Sequence, residues 1–152
     1  YTGGKKIIGV DIFLPKNLKQ RIKKYKNLFK KIKLIHGSSI EIKTIEKIKK
    51  IIKKSKNVMV ILDSHHTADH VRKELELYSN FVSKGNYLIC GDTIINFIPE
   101  QKHRKRPWGP KNNPYTALER FLKENKRFKS DKEIENKLLF TCNPEGYLKA
   151  NF

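Results

Sequence analysis

Four short apolar runs, each closing on a polar residue, constrain this chain more than anything else in it. The clearest is Asn57-Val58-Met59-Val60-Ile61-Leu62-Asp63, a continuous apolar stretch ending in a carboxylate. Similar runs occupy Lys6 to Ile12, Lys33 to Gly37 and Asn86 to Asp92. Runs of this length, rich in β-branched residues, suit strands buried on both faces. Helical patterns separate them. Leu18, Ile22, Tyr25 and Phe29 predict one amphipathic helix over Lys16 to Lys31. Ile42, Ile45, Ile48 and Ile52 predict another over Glu41 to Lys54, capped by Ser38-Ser39. Ala68, Val71, Leu75, Tyr78 and Val82 mark a third, which starts at Thr67 and ends on Gly85 as a C′ glycine. Strands alternating with helices predict right-handed crossovers, so the expected class is α/β, with a doubly wound, mostly parallel sheet.

Beyond Asp92 the rhythm changes. Ile94 to Pro114 is expected to be a long loop, and its segment Lys102 to Arg106, next to Trp108, is strongly basic. A helix over Tyr115 to Asn125 follows. Lys137 to Asn143 reads as a strand, Asn143-Pro144-Glu145-Gly146 as a turn, and Tyr147 to Ala150 as a returning partner. The sheet should therefore close on a C-terminal antiparallel strand or hairpin.

Composition narrows the partners. The net charge is +19, from 34 basic and 15 acidic residues. The arginines are limited to Arg21, Arg72, Arg104, Arg106, Arg120 and Arg127, and lysine supplies the rest. Nucleic-acid readers favour the planar, bidentate guanidinium. The excess therefore fits a solvated basic surface, an anionic substrate or a peripheral anionic lipid surface better than nucleic-acid recognition. No apolar run nears the ~20 residues that cross a bilayer. Cys90 and Cys142 lack metal-ligand spacing, which points to a reducing, cytoplasmic setting. A homo-oligomer is compatible with the pattern.

In open parallel sheets, ligands bind beyond the carboxyl ends of the strands. Asp11 ends its strand where a carboxylate can accept ribose hydroxyls. Gly37-Ser38-Ser39 offers a turn with hydroxyls, suited to an adenine edge or to helix capping. Asp63 and Asp92 end what should be neighbouring strands, ~4.8 Å apart, where two carboxylates can share one hard divalent cation such as Mg²⁺. His66 and His70 have the i, i+4 spacing of zinc ligands, but no Glu or Cys completes such a set. His66 at a strand end is better placed as a general base.

These residues resemble a known family. Leu62-Asp63-Ser64-His65-His66-Thr67, Glu74 to Tyr78, Gly85 to Ile89 and Asp92-Thr93 are similar to the cephalosporin hydroxylase and rhamnosyl O-methyltransferase family. The likeness continues through Gly109-Pro110, Ala117 with Phe121-Leu122, and Asn143 to Lys149. The resemblance implies a Rossmann-like fold, S-adenosylmethionine, a Mg²⁺ site, and methyl transfer to a hydroxyl of a sugar, lipid-linked glycan or small molecule.

Carried over by position, Asp11, Ser38, Ser39, Asp63, Ser64 and His65 would contact the cosubstrate. Asp63 and His66 would serve catalysis, and Asp63 and Asp92 would hold the metal. Two departures stand out. The family places Glu before the second Asp, where this chain has Gly91. The family's first strand and its Gly-rich turn have no counterpart in these residues, so a single, N-terminally incomplete domain over residues 1–152 is expected. The basic loop would cover the site or recruit an acidic acceptor. The contrasting reading is a non-catalytic basic module that binds nucleic acid or an anionic membrane.

Overall fold

In the computed structural model, residues 6–100 and 102–152 are described. They form an α/β protein with two sheets, one small and parallel, the other mixed. The chain divides into two compact units, Tyr1–Lys53 and Lys54–Phe152.

The first unit holds β1 (Ile7–Asp11) and β2 (Ile32–His36), paired in parallel with Asp11 opposite His36. Between them the expected single helix is two short ones, α1 (Leu18–Lys23) and α2 (Lys26–Phe29). Tyr25 breaks the run by leaving helical dihedrals (φ −101°, ψ 71°). Neither helix buries a residue, so tertiary packing does little to hold one continuous rod. Helix α3 (Ile42–Ile52) buries Thr44, Ile45 and Ile48, but Ile42 points to solvent. Glu41, rather than Ser38 or Ser39, stands at the N-cap position of α3, and its own side chain makes no capping bond. The backbone carbonyl of Ser38 instead accepts from the Glu41 N–H at 3.2 Å.

The second unit is built on β3 (Val60–Leu62), β4 (Tyr87–Cys90), β5 (Phe128–Ser130) and β6 (Tyr147–Ala150), in the order β3-β4-β6-β5. The β3 and β4 strands are parallel, and β6 runs antiparallel to both β4 and β5. Helices α4 (Ala68–Ser79) and α5 (Pro114–Glu124) pack against each other. Leu75, Leu88, Leu118 and Leu148 are fully buried. Each such side chain contributes about 1.5–3 kcal/mol through removal from water. The α4 helix stops at Ser79, earlier than its periodicity suggests. Gly85 is therefore not its C′ residue; it turns the chain into β4 with φ +77°, its N–H donating to the Ala150 carbonyl.

The expected strand over Lys137 to Asn143 is absent. Helix α6 (Lys132–Leu138) takes its first part, started by Asp131, whose carboxylate accepts from the N–H groups of Glu133 and Ile134. Leu139 then adopts a positive φ, and both it and Phe140 face solvent. An apolar run with no covered face to fill does not become a strand. The antiparallel strand comes later, as β6. The loop after Asp92 is also more ordered than expected, because a 3-10 turn spans Thr93–Asn96.

Candidate functional site

The parallel register pairs Leu62 with Cys90, so the carboxyl ends of β3 and β4 lie side by side. Gly91 continues this contact, its N–H donating to the Leu62 carbonyl at 2.8 Å. Asp92 then turns into the left-handed region (φ 51°, ψ 30°), which a residue with a side chain seldom occupies. The Asn143 side chain holds it there, its Oδ1 accepting from the Asp92 N–H at 2.9 Å. The turn Asn143-Pro144-Glu145-Gly146, read only as a turn in the sequence, thus positions a site residue. Gly146 lets this turn press on β4: a Cβ there would lie 2.4 Å from the Cys90 carbonyl oxygen.

His66 stands between the two carboxylates. Its Nε2 lies 3.1 Å from Asp92 Oδ2 and 3.5 Å from Asp63 Oδ1. One ligand atom from each of Asp63, His66 and Asp92 falls within 4.8 Å of the others. Both ring nitrogens of His66 are buried and satisfy no hydrogen bond among the described residues. A buried imidazole nitrogen that faces carboxylate oxygens without a hydrogen bond fits a metal-ligand role. The donor set, two carboxylates and one imidazole, therefore fits a divalent cation. Gly91 contributes no donor. A Cβ at that position would sit 2.7 Å from the Leu62 carbonyl oxygen.

The neighbouring residues have other partners. Ser64 donates its hydroxyl to Glu74 Oε1 at 2.8 Å, and Glu74 is buried within α4. His65 Nδ1 meets Thr67 Oγ1 at 2.9 Å, so Thr67 does not use its side chain to cap α4. Asn112 supplies that cap from the distant loop, its Oδ1 accepting from the Ala68 N–H at 2.9 Å. His70 lies 3.7 Å from Glu74 Oε1. Burial holds its pKa below the ordinary histidine value, against the opposing pull of Glu74. Burial likewise pushes the Cys90 thiol up to about 12, so it is no thiolate nucleophile at neutral pH.

A cleft of about 890 Å³ opens on His66, Ser64 and Asp92. Ile94, Ile95 and Ile98 line one part, and the basic loop lines another. The Trp108 ring lies 5.0 Å from the His66 ring and 5.5 Å from the His65 ring. On its other contact, the Arg106 guanidinium lies 5.1 Å from the Trp108 centroid. The loop is anchored by Asn113, which is fully buried. Its side chain donates to the Gly109 carbonyl and to Asn96, and caps α5 through Thr116. Asn113-Pro114 is the sequence signal for that cap.

Within the first unit, the expected cosubstrate residues also converge. The Gly37 N–H donates to the Asp11 carbonyl at 3.0 Å, joining the ends of β1 and β2. The Asp11 carboxylate accepts from the Phe13 N–H at 2.7 Å, which leaves its second oxygen for another partner. Gly37 allows α3 to approach: a Cβ there would lie 2.7 Å from Thr44 Oγ1. Ser38 and Ser39 follow in this turn and are half-buried.

A family model described as rhamnosyl O-methyltransferase/CmcI matches residues 2–151. The chain belongs to this family. Curated relatives named rhamnosyl O-methyltransferase, from Mycobacterium tuberculosis (strain ATCC 25618 / H37Rv) and Mycobacterium bovis (strain BCG / Pasteur 1173P2), are 37% identical over 95 residues. That stretch covers 62% of this chain and 36% of each relative, so the chain matches about a third of their length. No solved structure matches. Among the described residues, no helix of this rhamnosyl O-methyltransferase family member is long and apolar enough to cross a membrane.

Proposed function

We propose that this chain is part of an S-adenosylmethionine-dependent O-methyltransferase that acts on a sugar hydroxyl. The finer reading of the fold, a Rossmann-like methyltransferase domain, goes with this proposal. Family membership and the names of the mycobacterial relatives support it. The observation that carries it is the convergence of Asp63, His66 and Asp92 at adjacent strand ends, beside a cleft of substrate size.

Asp63, Asp92 and His66 would hold a divalent cation, Mg²⁺ in the first instance. Such an ion supplies Lewis-acid chemistry that lowers the pKa of a bound hydroxyl. The methyl donor supplies an electrophilic sulfonium methyl. The residues themselves orient the acceptor. Trp108 and the isoleucines of the cleft exclude water around the hydroxyl, and the hydroxyl oxygen is held towards the His66 cluster. When no cation is bound, His66 Nε2 is placed to take the hydroxyl proton, with both carboxylates stabilising the imidazolium. Alignment then provides most of the rate. In the first unit, Asp11 is the candidate for the ribose and Ser38 and Ser39 for the adenine.

Calorimetric titration of S-adenosylhomocysteine, with and without Mg²⁺, tests this reading. Binding is expected, and its absence under both conditions would remove the methyltransferase assignment. Asp92→Ala should abolish any Mg²⁺ dependence of binding and methylation. Unchanged dependence would take Asp92 out of the cation site. A basic module for polyanions would instead show salt-sensitive binding to nucleic acid or anionic vesicles, with no affinity for the cosubstrate.

A further inference from the structure

The cleft beside the cation cluster is charged in a way that a neutral sugar does not require. Lys102, Arg104, Lys105 and Arg106 all line it. Its carboxylates are Glu100 and Asp92, and Asp92 already belongs to the cluster with His66. Among the described residues, none of the four cations forms an ion pair. Two of the other four arginines are committed to the chain's own structure. Arg72 bridges Glu76 and Glu124, and Arg127 donates to the backbone carbonyls of Ser79 and Val82. Arg104 and Arg106 are spent on no such task, although the chain otherwise draws its positive charge from lysine. Guanidinium groups matter where a phosphate is held by two parallel hydrogen bonds.

Trp108 links the two groups. Its ring lies 5.1 Å from the Arg106 guanidinium and 5.0 Å from the His66 ring, so one indole touches both the basic loop and the strand-end cluster. We propose that the acceptor is a phosphorylated sugar, a hexose whose phosphate lies among Lys102, Arg104, Lys105 and Arg106 while one ring hydroxyl reaches His66. A simple sugar phosphate and a nucleotide-linked sugar both present anionic phosphate oxygens to the loop. This inference rests on the methyltransferase reading for the hydroxyl and on the loop alone for the phosphate.

Trp108 is the chain's single tryptophan, so its emission reports on this cleft without cosubstrate or turnover. Rhamnose 1-phosphate, rhamnose and inorganic phosphate would be titrated against the full chain at fixed ionic strength. The sugar phosphate is expected to bind at least about tenfold more tightly than either of the others. Arg104→Gln/Lys105→Gln keeps the Arg106 contact with Trp108, so the reporter survives. It should weaken the sugar phosphate about tenfold and leave rhamnose unchanged. Lys47→Gln/Lys50→Gln on α3 removes the same charge and should change neither.

Equal affinity for rhamnose and its phosphate would overturn the proposal. So would an equal loss in the α3 variant, which would mean general charge attraction. Inorganic phosphate binding as tightly as the sugar phosphate would overturn the sugar contact. A titration with thymidine diphosphate rhamnose separates the two phosphate sources. If S-adenosylhomocysteine fails to bind while the sugar phosphate binds as expected, the methyltransferase reading falls and the phosphate site stands.

Discussion

The two units of this protein bury their apolar residues very differently. In Lys54–Phe152, a four-stranded sheet and two long helices share a core that contains Leu75, Leu88, Leu118 and Leu148. In Tyr1–Lys53, α3 alone among the helices buries residues, namely Thr44, Ile45 and Ile48, and Ile12, Phe13, Tyr25 and Ile42 remain exposed. The cation cluster and the basic cleft lie wholly within the well-packed unit. The proposed ribose and adenine contacts lie in the thinly packed one. A site that would hold a cation needs ligands fixed by rigid elements. A segment with little core of its own gains more of its order from what it binds.

The largest effect should come from the deeper core. Leu88→Ala should lower stability by about 2–5 kcal/mol, read by chemical denaturation. Next comes the support of Asp92. Asn143→Ala leaves the Asp92 N–H unpaired in a left-handed turn and should cost about 1–3 kcal/mol. It should also weaken cation binding, measured by calorimetry; unchanged cation affinity would show that Asn143 does not position the ligand. Hydrogen exchange sharpens the contrast itself. Amides of α3 and β2 should exchange faster than those of α4 and β4, and S-adenosylhomocysteine should protect the former more. Equal protection in both units would break the comparison.

A smaller effect follows pH. The folded-state pKa of His70 is held below its ordinary value of 6.5, chiefly by burial. The unfolded chain therefore takes up the proton first. The stability linked to His70 is fully present above about pH 6.5 and is lost as pH falls through the lowered folded value. His70→Gln should flatten that part of a melting-temperature profile. The smallest effect belongs to the exposed face of the first unit: Ile42→Lys should change stability by no more than about 0.5 kcal/mol in thermal melts.

Much of this organisation could be read from residue order. Each of the four apolar runs contains a strand, and the strand-end residues Asp63, His66 and Asp92 do meet. Asp11 and the Gly37-Ser38-Ser39 turn do adjoin. The failures have physical causes. Lys137 to Asn143 looked like a strand because its residues are apolar, yet no neighbour covers Leu139 and Phe140. The segment Lys16 to Lys31 keeps helical periodicity, but its apolar stripe finds no core to bury it. The supporting residues Asn112 and Asn143 act across long separations in sequence, and a local pattern carries no trace of such partners.

Gly91 has a consequence for how this ligand set can change over time. Its N–H is tied to the Leu62 carbonyl, and that same oxygen occupies the space a side chain would need. Gly91→Glu would add a third carboxylate only after the backbone of β3 or β4 had moved. The single substitution should therefore lower the melting temperature before it gains any ligand. The path from this two-aspartate, one-histidine set to three carboxylates passes through a less stable protein. The packing of two backbones, rather than the chemistry at the strand ends, holds position 91 to glycine.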